Sequence, residues 1–248
     1  MTDTRHARPL RIAEFLARLD PAESPRLAFV RRAPAGIGRD AGLLLCLSAS
    51  FNPMTIAHAA LVREGCRRLP VTEILLLLAT ANVDKGGEGL PFDLRFDLLL
   101  RFARSRNNVS VAAVGHGRFV DKLDAIRAVY PGSSRVVFAL GFDTLIRLFD
   151  PKYYADREAS LIRLFDGSEC SVANRGADSL QTVDAFLARP DVSSFAHRIH
   201  PLRLPPDLAA VSATEVRARL ARGEPIGGLV PPEIVPPLTA WGRRVREP

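Results

Sequence analysis

The sequence predicts an α/β fold, a doubly wound parallel sheet with helices on both faces. Three observations carry this. Short continuous apolar runs recur from residue 43 onward, as in strands buried on both faces. Each is followed by a stretch with helical spacing of its apolar residues, and strands alternating with helices at this interval call for right-handed crossovers in a parallel sheet. The chain has 248 residues and 47% hydrophobic content, enough for one sizeable core.

The elements follow in order. Residues 9–19 carry Leu10, Ile12, Phe15, Leu16 and Leu19 at helical spacing, and residues 26–32 read as a short strand. Pro34, Gly36 and Gly38 then break the chain. Residues 1–40 are therefore expected to be an N-terminal helix/strand extension to a main domain over 41–248. That domain should run strand 43–50, helix 57–69, strand 73–81, helix 93–105, strand 109–114, helix 119–130, strand 135–141 and helix 143–149. A strand ending over 170–175, a helix over 179–189, a strand over 197–204 and a helix over 213–223, closed by Gly223, complete the pattern. The result is a Rossmann-like architecture, in which ligands bind beyond the carboxyl ends of the strands.

Charge and composition narrow the function. The net charge is +7, which suits either a nucleic-acid binder or a cleft that concentrates small polyanions. The arginines are scattered, and aromatic residues, 7% of the chain, do not interleave with them. A single-strand stacking platform is thus disfavoured, and no nucleic-acid partner is expected. Cys46, Cys66 and Cys170 are far apart with no CxxC pair, so neither a disulfide framework nor a zinc site is indicated. No segment approaches 18 uninterrupted apolar residues, and the N-terminus lacks a signal-peptide pattern. A soluble cytoplasmic protein without membrane association is expected. Oligomeric state is open, with a homo-oligomer possible.

Two segments combine residue types suited to phosphate chemistry. After the strand at 43–50 comes Ser50-Phe51-Asn52-Pro53-Met54-Thr55-Ile56-Ala57-His58. A helix N-terminus follows this strand, and its N–H groups and dipole favour phosphate. His58 lies three residues after Thr55, so both side chains share one helix face, where an imidazole could donate to an oxygen that gains charge. A buried histidine packed on the sheet is the bland alternative. The second segment is Ser212-Ala213-Thr214-Glu215-Val216-Arg217. Ser212 and Glu215 have capping-box spacing. The same hydroxyls and the Arg217 guanidinium also form a plausible polyphosphate cradle.

The first segment resembles the (H/T)xGH signature of the nucleotidyltransferase superfamily. It is most similar to the GSFNPxTxxH form of nicotinamide/nicotinate mononucleotide adenylyltransferases. The second resembles that superfamily's ISSTxxR motif. Ala49, Ala57 and Ala213 replace residues that the family patterns usually hold as Gly, Gly and Ser. The resemblance implies that His58, Thr55 and Arg217 are catalytic, and that Ser50, Phe51, Asn52, Ser212 and Thr214 bind ATP or its phosphates. Gly141-Phe142-Asp143 resembles the family's G-A-D, whose Asp contacts ribose; an N-cap Asp is the structural alternative. Lys85, in a glycine-rich loop, matches a basic residue that reaches substrate phosphates, and Arg175 matches an arginine near the nucleotide. Trp241 lies outside the motif region. Tyr153, Tyr154, His116 and Phe119 are therefore candidates to stack on a pyridine ring.

The implied reaction is one in-line displacement. The phosphate of a pyridine mononucleotide attacks the α-phosphorus of ATP and pyrophosphate leaves, with Mg2+ bridging the ATP phosphates. The partners expected are thus ATP and a pyridine mononucleotide. Two alternatives stand beside it: another transferase of the superfamily, acting on pantetheine phosphate or using CTP, and a nucleotide-binding protein with weakened catalysis.

Overall fold

The computed structural model describes residues 19–80, 89–174, 176 and 179–247. The helix expected over 9–19 falls almost wholly outside these residues, as do Lys85 and Arg175.

Seven strands form one sheet: β1 Leu27–Arg31, β2 Leu43–Ala49, β3 Glu73–Ala79, β4 Val109–Val114, β5 Arg135–Gly141, β6 Glu169–Ala173 and β7 Ile199–Leu202. Their order across the sheet is β1-β4-β3-β2-β5-β6-β7. Every neighbouring pair is parallel except β1 and β4, which run antiparallel through a register shift at Phe29/Arg31. From β4 to β7 this is the doubly wound order, whose direction of winding reverses between β2 and β5. The strand before residue 40 extends the same sheet at its edge.

Helices α1 Ile56–Arg68, α2 Phe92–Ala103, α8 Ala213–Arg222 and α9 Val235–Arg246 bury Leu61, Phe96, Leu220 and Leu238 against one face of the sheet, with Leu45 and Leu47 of β2. Helices α3 Phe119–Arg127, α4 Phe142–Leu148, α5 Arg157–Gly167 and α6 Leu180–Leu187 bury Leu123, Leu145, Leu164 and Val183 against the other, with Leu44 and Cys46. Adjacent residues of β2 thus feed opposite cores, which explains its uninterrupted apolar run. A short helix, α7 Pro206–Ala209, precedes α8.

Several element expectations are corrected. The strand expected over 197–204 is only Ile199–Leu202, because residues Ser193–Arg198 wind into a 3-10 turn before it. Pro201 is accommodated because β7 is an edge strand, where a missing N–H costs little. The strand over 170–175 ends at Ala173. Three helices had no sequence expectation: the one-turn α7 and the longer α5 and α9. In α5 the stripe Leu161, Leu164, Phe165 is short. In α9 the paired prolines 236 and 237 read as breakers, yet both sit in the first turn, where a proline displaces no helical hydrogen bond. The closing glycine behaves as expected: Gly223 adopts φ 74° at the end of α8.

The amino ends of the strands carry a fully satisfied polar knot. Buried Glu73 of β3 accepts from the Ile37 N–H at 2.7 Å, from the Tyr130 hydroxyl at 2.6 Å and from the Ser110 hydroxyl. Gly36 is required beside it, since a Cβ there would collide with the Glu73 carboxylate. Burial and the Glu73 carboxylate together hold the Tyr130 phenol far above its ordinary value, so it stays a donor. Among the described residues no helix is long and apolar enough to cross a membrane. Glu73→Ala strands three donors and is expected to lower the unfolding free energy by about 2–5 kcal/mol in a denaturant titration.

Candidate active site

β2 and β5 are neighbours, but α1 and α4 that follow them leave toward opposite faces. The crevice opened between them holds a cavity of about 740 Å³, lined among others by Ser50, His58, Gly141 and Asp143. That volume suits a small-molecule ligand, for which pockets run from roughly 300 to 1,000 Å³.

The loop between β2 and α1 is shaped by unusual backbone. Phe51 adopts φ 43°, a region that costs a non-glycine residue energy, while its ring is buried in the core and lies 5.5 Å from the His58 ring between centroids. Asn52 Oδ1 accepts from the Leu90 N–H at 2.8 Å, fastening this loop to the segment before α2. Gly89, at φ 129°, is needed there because a Cβ would overlap the Asn52 side chain.

Thr55, 1% exposed, caps α1. Its hydroxyl accepts from the His58 N–H at 3.4 Å, and its own N–H donates to His58 Nδ1 at 3.0 Å. With Nδ1 engaged as an acceptor, a neutral ring carries its proton on Nε2, and His58 is part of the cavity lining. The N-terminus of α1 is less free than the sequence implies: the Ile56 N–H is consumed by the Leu229 carbonyl at 3.0 Å. Anion binding here must therefore draw more on side chains.

The second motif arrives from α8. Arg217 donates through Nη1 to the Asn52 carbonyl at 2.7 Å and through Nη2 to Thr214 Oγ1 at 3.3 Å. Residues 165 positions apart thus meet at the loop that carries His58. Ser212 Oγ accepts from the Glu215 N–H at 3.1 Å as the N-cap of α8. The reciprocal half of the expected capping box is missing, because the Glu215 carboxylate turns to Arg219 at 2.7 Å. Of this segment Ala213 lines the cavity.

Arg95 of α2 lies beside Arg217. It is 5% exposed and donates to the Leu90 carbonyl at 2.8 Å and to the Ser50 carbonyl at 3.4 Å. Burial, with the neighbouring Arg217 guanidinium, pushes its pKa down. Among the described residues neither Arg95 nor Arg217 is paired with a carboxylate. Two guanidiniums held by carbonyl and hydroxyl oxygens, with no carboxylate among the described residues, leave positive charge for an anion to neutralise. Among the described residues no group of His, Cys, Asp and Glu could hold a metal ion.

Asp143 is not the N-cap of α4. The helix begins at Phe142 with Gly141 as its cap, and Asp143 in the first turn pairs with Arg147 at 2.7 Å. Asn174 ties β6 to the segment after β7, its Oδ1 accepting from the Leu204 N–H at 2.8 Å. Trp241 of α9 packs on the core and not at the cavity. The cavity does receive His116, Phe119, Tyr153 and Tyr154, and the Tyr154 hydroxyl is spent on the Leu148 carbonyl at 2.6 Å.

Among the cavity residues that the sequence did not single out is a buried lysine. Lys122 of α3 is only 3% exposed and lies 4.4 Å from the Phe119 ring centroid. Burial pushes its ammonium down to about 8, and burial pushes the nearby Cys46 thiol up to about 12, so Cys46 is neutral at physiological pH. The signal was present: Phe119, Lys122, Leu123 and Ile126 follow the i, i+3, i+4, i+7 spacing of a buried stripe, with a lysine in the second place. Arg95 occupies the same place in Phe92, Arg95, Phe96, Leu99 of α2.

A doubly wound sheet whose switch-point crevice is lined by an oriented imidazole, with two guanidiniums clasping the loop before it, suits a nucleotidyltransferase. The chain is 30% identical over 213 residues to a nicotinate-nucleotide adenylyltransferase of Chromobacterium violaceum, covering 79% of this chain and 94% of that protein. It is 34% identical over 143 residues to a nicotinamide mononucleotide adenylyltransferase of Schizosaccharomyces pombe, a match spanning 56% of this chain and 55% of that protein. No family model matches it. The fold resembles the nicotinic acid mononucleotide adenylyltransferase of Plasmodium falciparum complexed with APC, at a TM-score of 0.60, 14% identity and coverage of 81% of this chain and 96% of that one. The chain belongs to the nicotinate/nicotinamide-nucleotide adenylyltransferase family.

Lys122→Met is expected to stabilise the protein by roughly 1–3 kcal/mol at pH 7, because it removes a buried cation without a hydrogen-bonded counterion. Between about pH 8 and 10.5 the folded chain has released the Lys122 proton that the unfolded chain still binds, so the native protein gains stability as pH rises through that window. Unfolding titrations of both proteins at pH 7 and 10.5 should show the gap narrowing.

Proposed function

We propose that this protein transfers the AMP moiety of ATP to nicotinate or nicotinamide mononucleotide, releasing pyrophosphate and forming the dinucleotide. The observation that carries this reading is the Arg217–Asn52 contact, which joins the two candidate phosphate-binding segments; Ser50 and His58 of one and Ala213 of the other line the same cavity.

An oxygen of the mononucleotide phosphate attacks the α-phosphorus of ATP in line, the bond from that phosphorus to the β-phosphate bridging oxygen breaks, and its electrons leave with pyrophosphate. The nucleophile is already an anion at neutral pH, so no general base is needed. What the protein supplies is position and charge. His58, oriented by Thr55, donates from Nε2 to the α-phosphate. Arg217, braced by Thr214, neutralises the β- and γ-phosphates, with Arg95 adding to the field. Ser212 holds the α8 N-terminus toward the same charge. Lys85 and Arg175 are assigned to the phosphates and the nucleotide from the family motif. Ser50, Phe51 and Asn52 supply the backbone that lets ATP approach, and Gly141 and Asp143 face the ribose. Among the described residues the site makes no metal-ligand set, so Mg2+ would enter with the triphosphate oxygens. The three free cysteines suit a reducing compartment with abundant ATP, such as the cytoplasm.

Pyrophosphate release with ATP and each mononucleotide tests the reaction; no release with either overturns it. His58→Ala is expected to lower kcat by about 100- to 1,000-fold with the melting temperature nearly unchanged, the loss typical of one transition-state donor. Arg217→Ala is expected to lower kcat/KM for ATP by at least about 100-fold, since it removes a charge-assisted contact and frees the Asn52 carbonyl.

A further inference from the structure

The cavity has a second wall that phosphate transfer leaves without work. His58 stands on α1, on one face of the sheet, so both reacting phosphates must gather on that side. The cavity continues over the carboxyl ends of β2, β3 and β5 to the other face, where α3 and the segment after α4 close it. That wall carries the apolar and aromatic side chains Phe119, Leu148, Tyr153 and Tyr154, surface of the kind on which a flat ring packs.

Two polar atoms at this end lack hydrogen-bond partners among the described residues. Ser48 Oγ and His116 Nδ1 are buried without a hydrogen bond. Ser48 lies two residues beyond Cys46 on the same face of β2, the face covered by α3. Lys122 stands beside them, its ammonium over the Phe119 ring at 4.4 Å and without a hydrogen bond to a carboxylate among the described residues. Its adjacent carboxylate, Asp121, is committed to Arg118 through two hydrogen bonds of 2.8 and 2.9 Å, and the thiol of Cys46 carries no charge at neutral pH. Buried polar groups are rarely left unsatisfied in a finished structure. A buried ammonium, a hydroxyl and an imidazole nitrogen around an aromatic slot together match an anionic substituent on a ring.

We propose that Lys122 is the specificity-determining residue of the acceptor site: its ammonium receives the ring carboxylate of an acid-form pyridine mononucleotide, assisted by Ser48, so that the acid is used in preference to the amide. This rests on the reaction proposed above. The mononucleotide phosphate cannot be the group Lys122 meets, because that phosphate has to reach the α-phosphorus beside His58 on the opposite face. An amide in the same place would leave the ammonium buried against a neutral group.

The test compares kcat/KM for nicotinate and nicotinamide mononucleotide at saturating ATP in the native protein, Lys122→Met and Lys122→Arg. The native protein should favour the acid by at least about tenfold, the discrimination a charged hydrogen bond provides. Lys122→Met should reduce the acid-to-amide ratio by about 10- to 100-fold, mainly through KM for the acid, and Lys122→Arg should retain a preference for the acid. Calorimetric titration of each mononucleotide into the ATP-free proteins should follow the same ratios. A native preference for the amide, or a Lys122→Met protein with an unchanged ratio, overturns the role of Lys122 while leaving the transferase reaction standing. Equal losses for both acceptors also overturn it, by showing that the lysine only supports the fold. Should Lys122→Met fail to fold, the preference of the native protein and the Lys122→Arg ratio decide. Absence of turnover with either acceptor overturns the reaction and this inference with it.

Discussion

The arrangement of the site depends on a guanidinium from near the end of the chain reaching a carbonyl near its first third. Arg217 donates to Asn52, and Arg95 donates to Ser50 two residues earlier. Together they hold the β2–α1 loop by its oxygens. Such a clasp is necessary because Phe51 sits at φ 43°, a conformation that persists only when its surroundings over-determine it. The same loop sets where α1 begins, and hence where Thr55 fixes the His58 ring. The two arginines are positioned by dipoles and not by carboxylates, so their positive charge stays available to a ligand.

The two ends of the sheet show opposite treatments of polar groups. At the amino ends, Glu73 gathers three donors and leaves none wanting. At the carboxyl ends, Ser48 and His116 keep buried atoms without hydrogen-bond partners among the described residues, and Lys122 and Arg95 are buried cations that no described carboxylate hydrogen-bonds. Each such group costs stability, and their concentration around one crevice is the mark of a site completed by a polyanionic ligand. The reading of the chain as an adenylyltransferase fits this division, since the chemistry asks for little beyond charge compensation and alignment.

Trp241 stands away from the cavity, packed on the core. The aromatic wall here comes from the segment after α4 and the start of α3 instead. The alanines at 49, 57 and 213 lie around the site without closing it, and all three share the cavity lining with His58.

Periodicity alone was enough for most of the fold. Strands at 109–114 and 135–141 coincide with their expected limits, because runs buried on both faces have sharp polar ends. Short or proline-led helices escaped, since α5 buries too narrow a stripe and the prolines of α9 fall in its harmless first turn. For the site, local sequence specified the cap, the loop and the residues His58 and Arg217, all defined by near neighbours along the chain. Only the tertiary structure decided that these segments meet, that Asp143 pairs with Arg147 and does not cap its helix, and that Lys122 and Arg95 face inward. The reason is physical: a charged residue on an apolar stripe is either an exposed edge or a buried cation, and that choice depends on which strand order the chain adopts and what the opposite element presents.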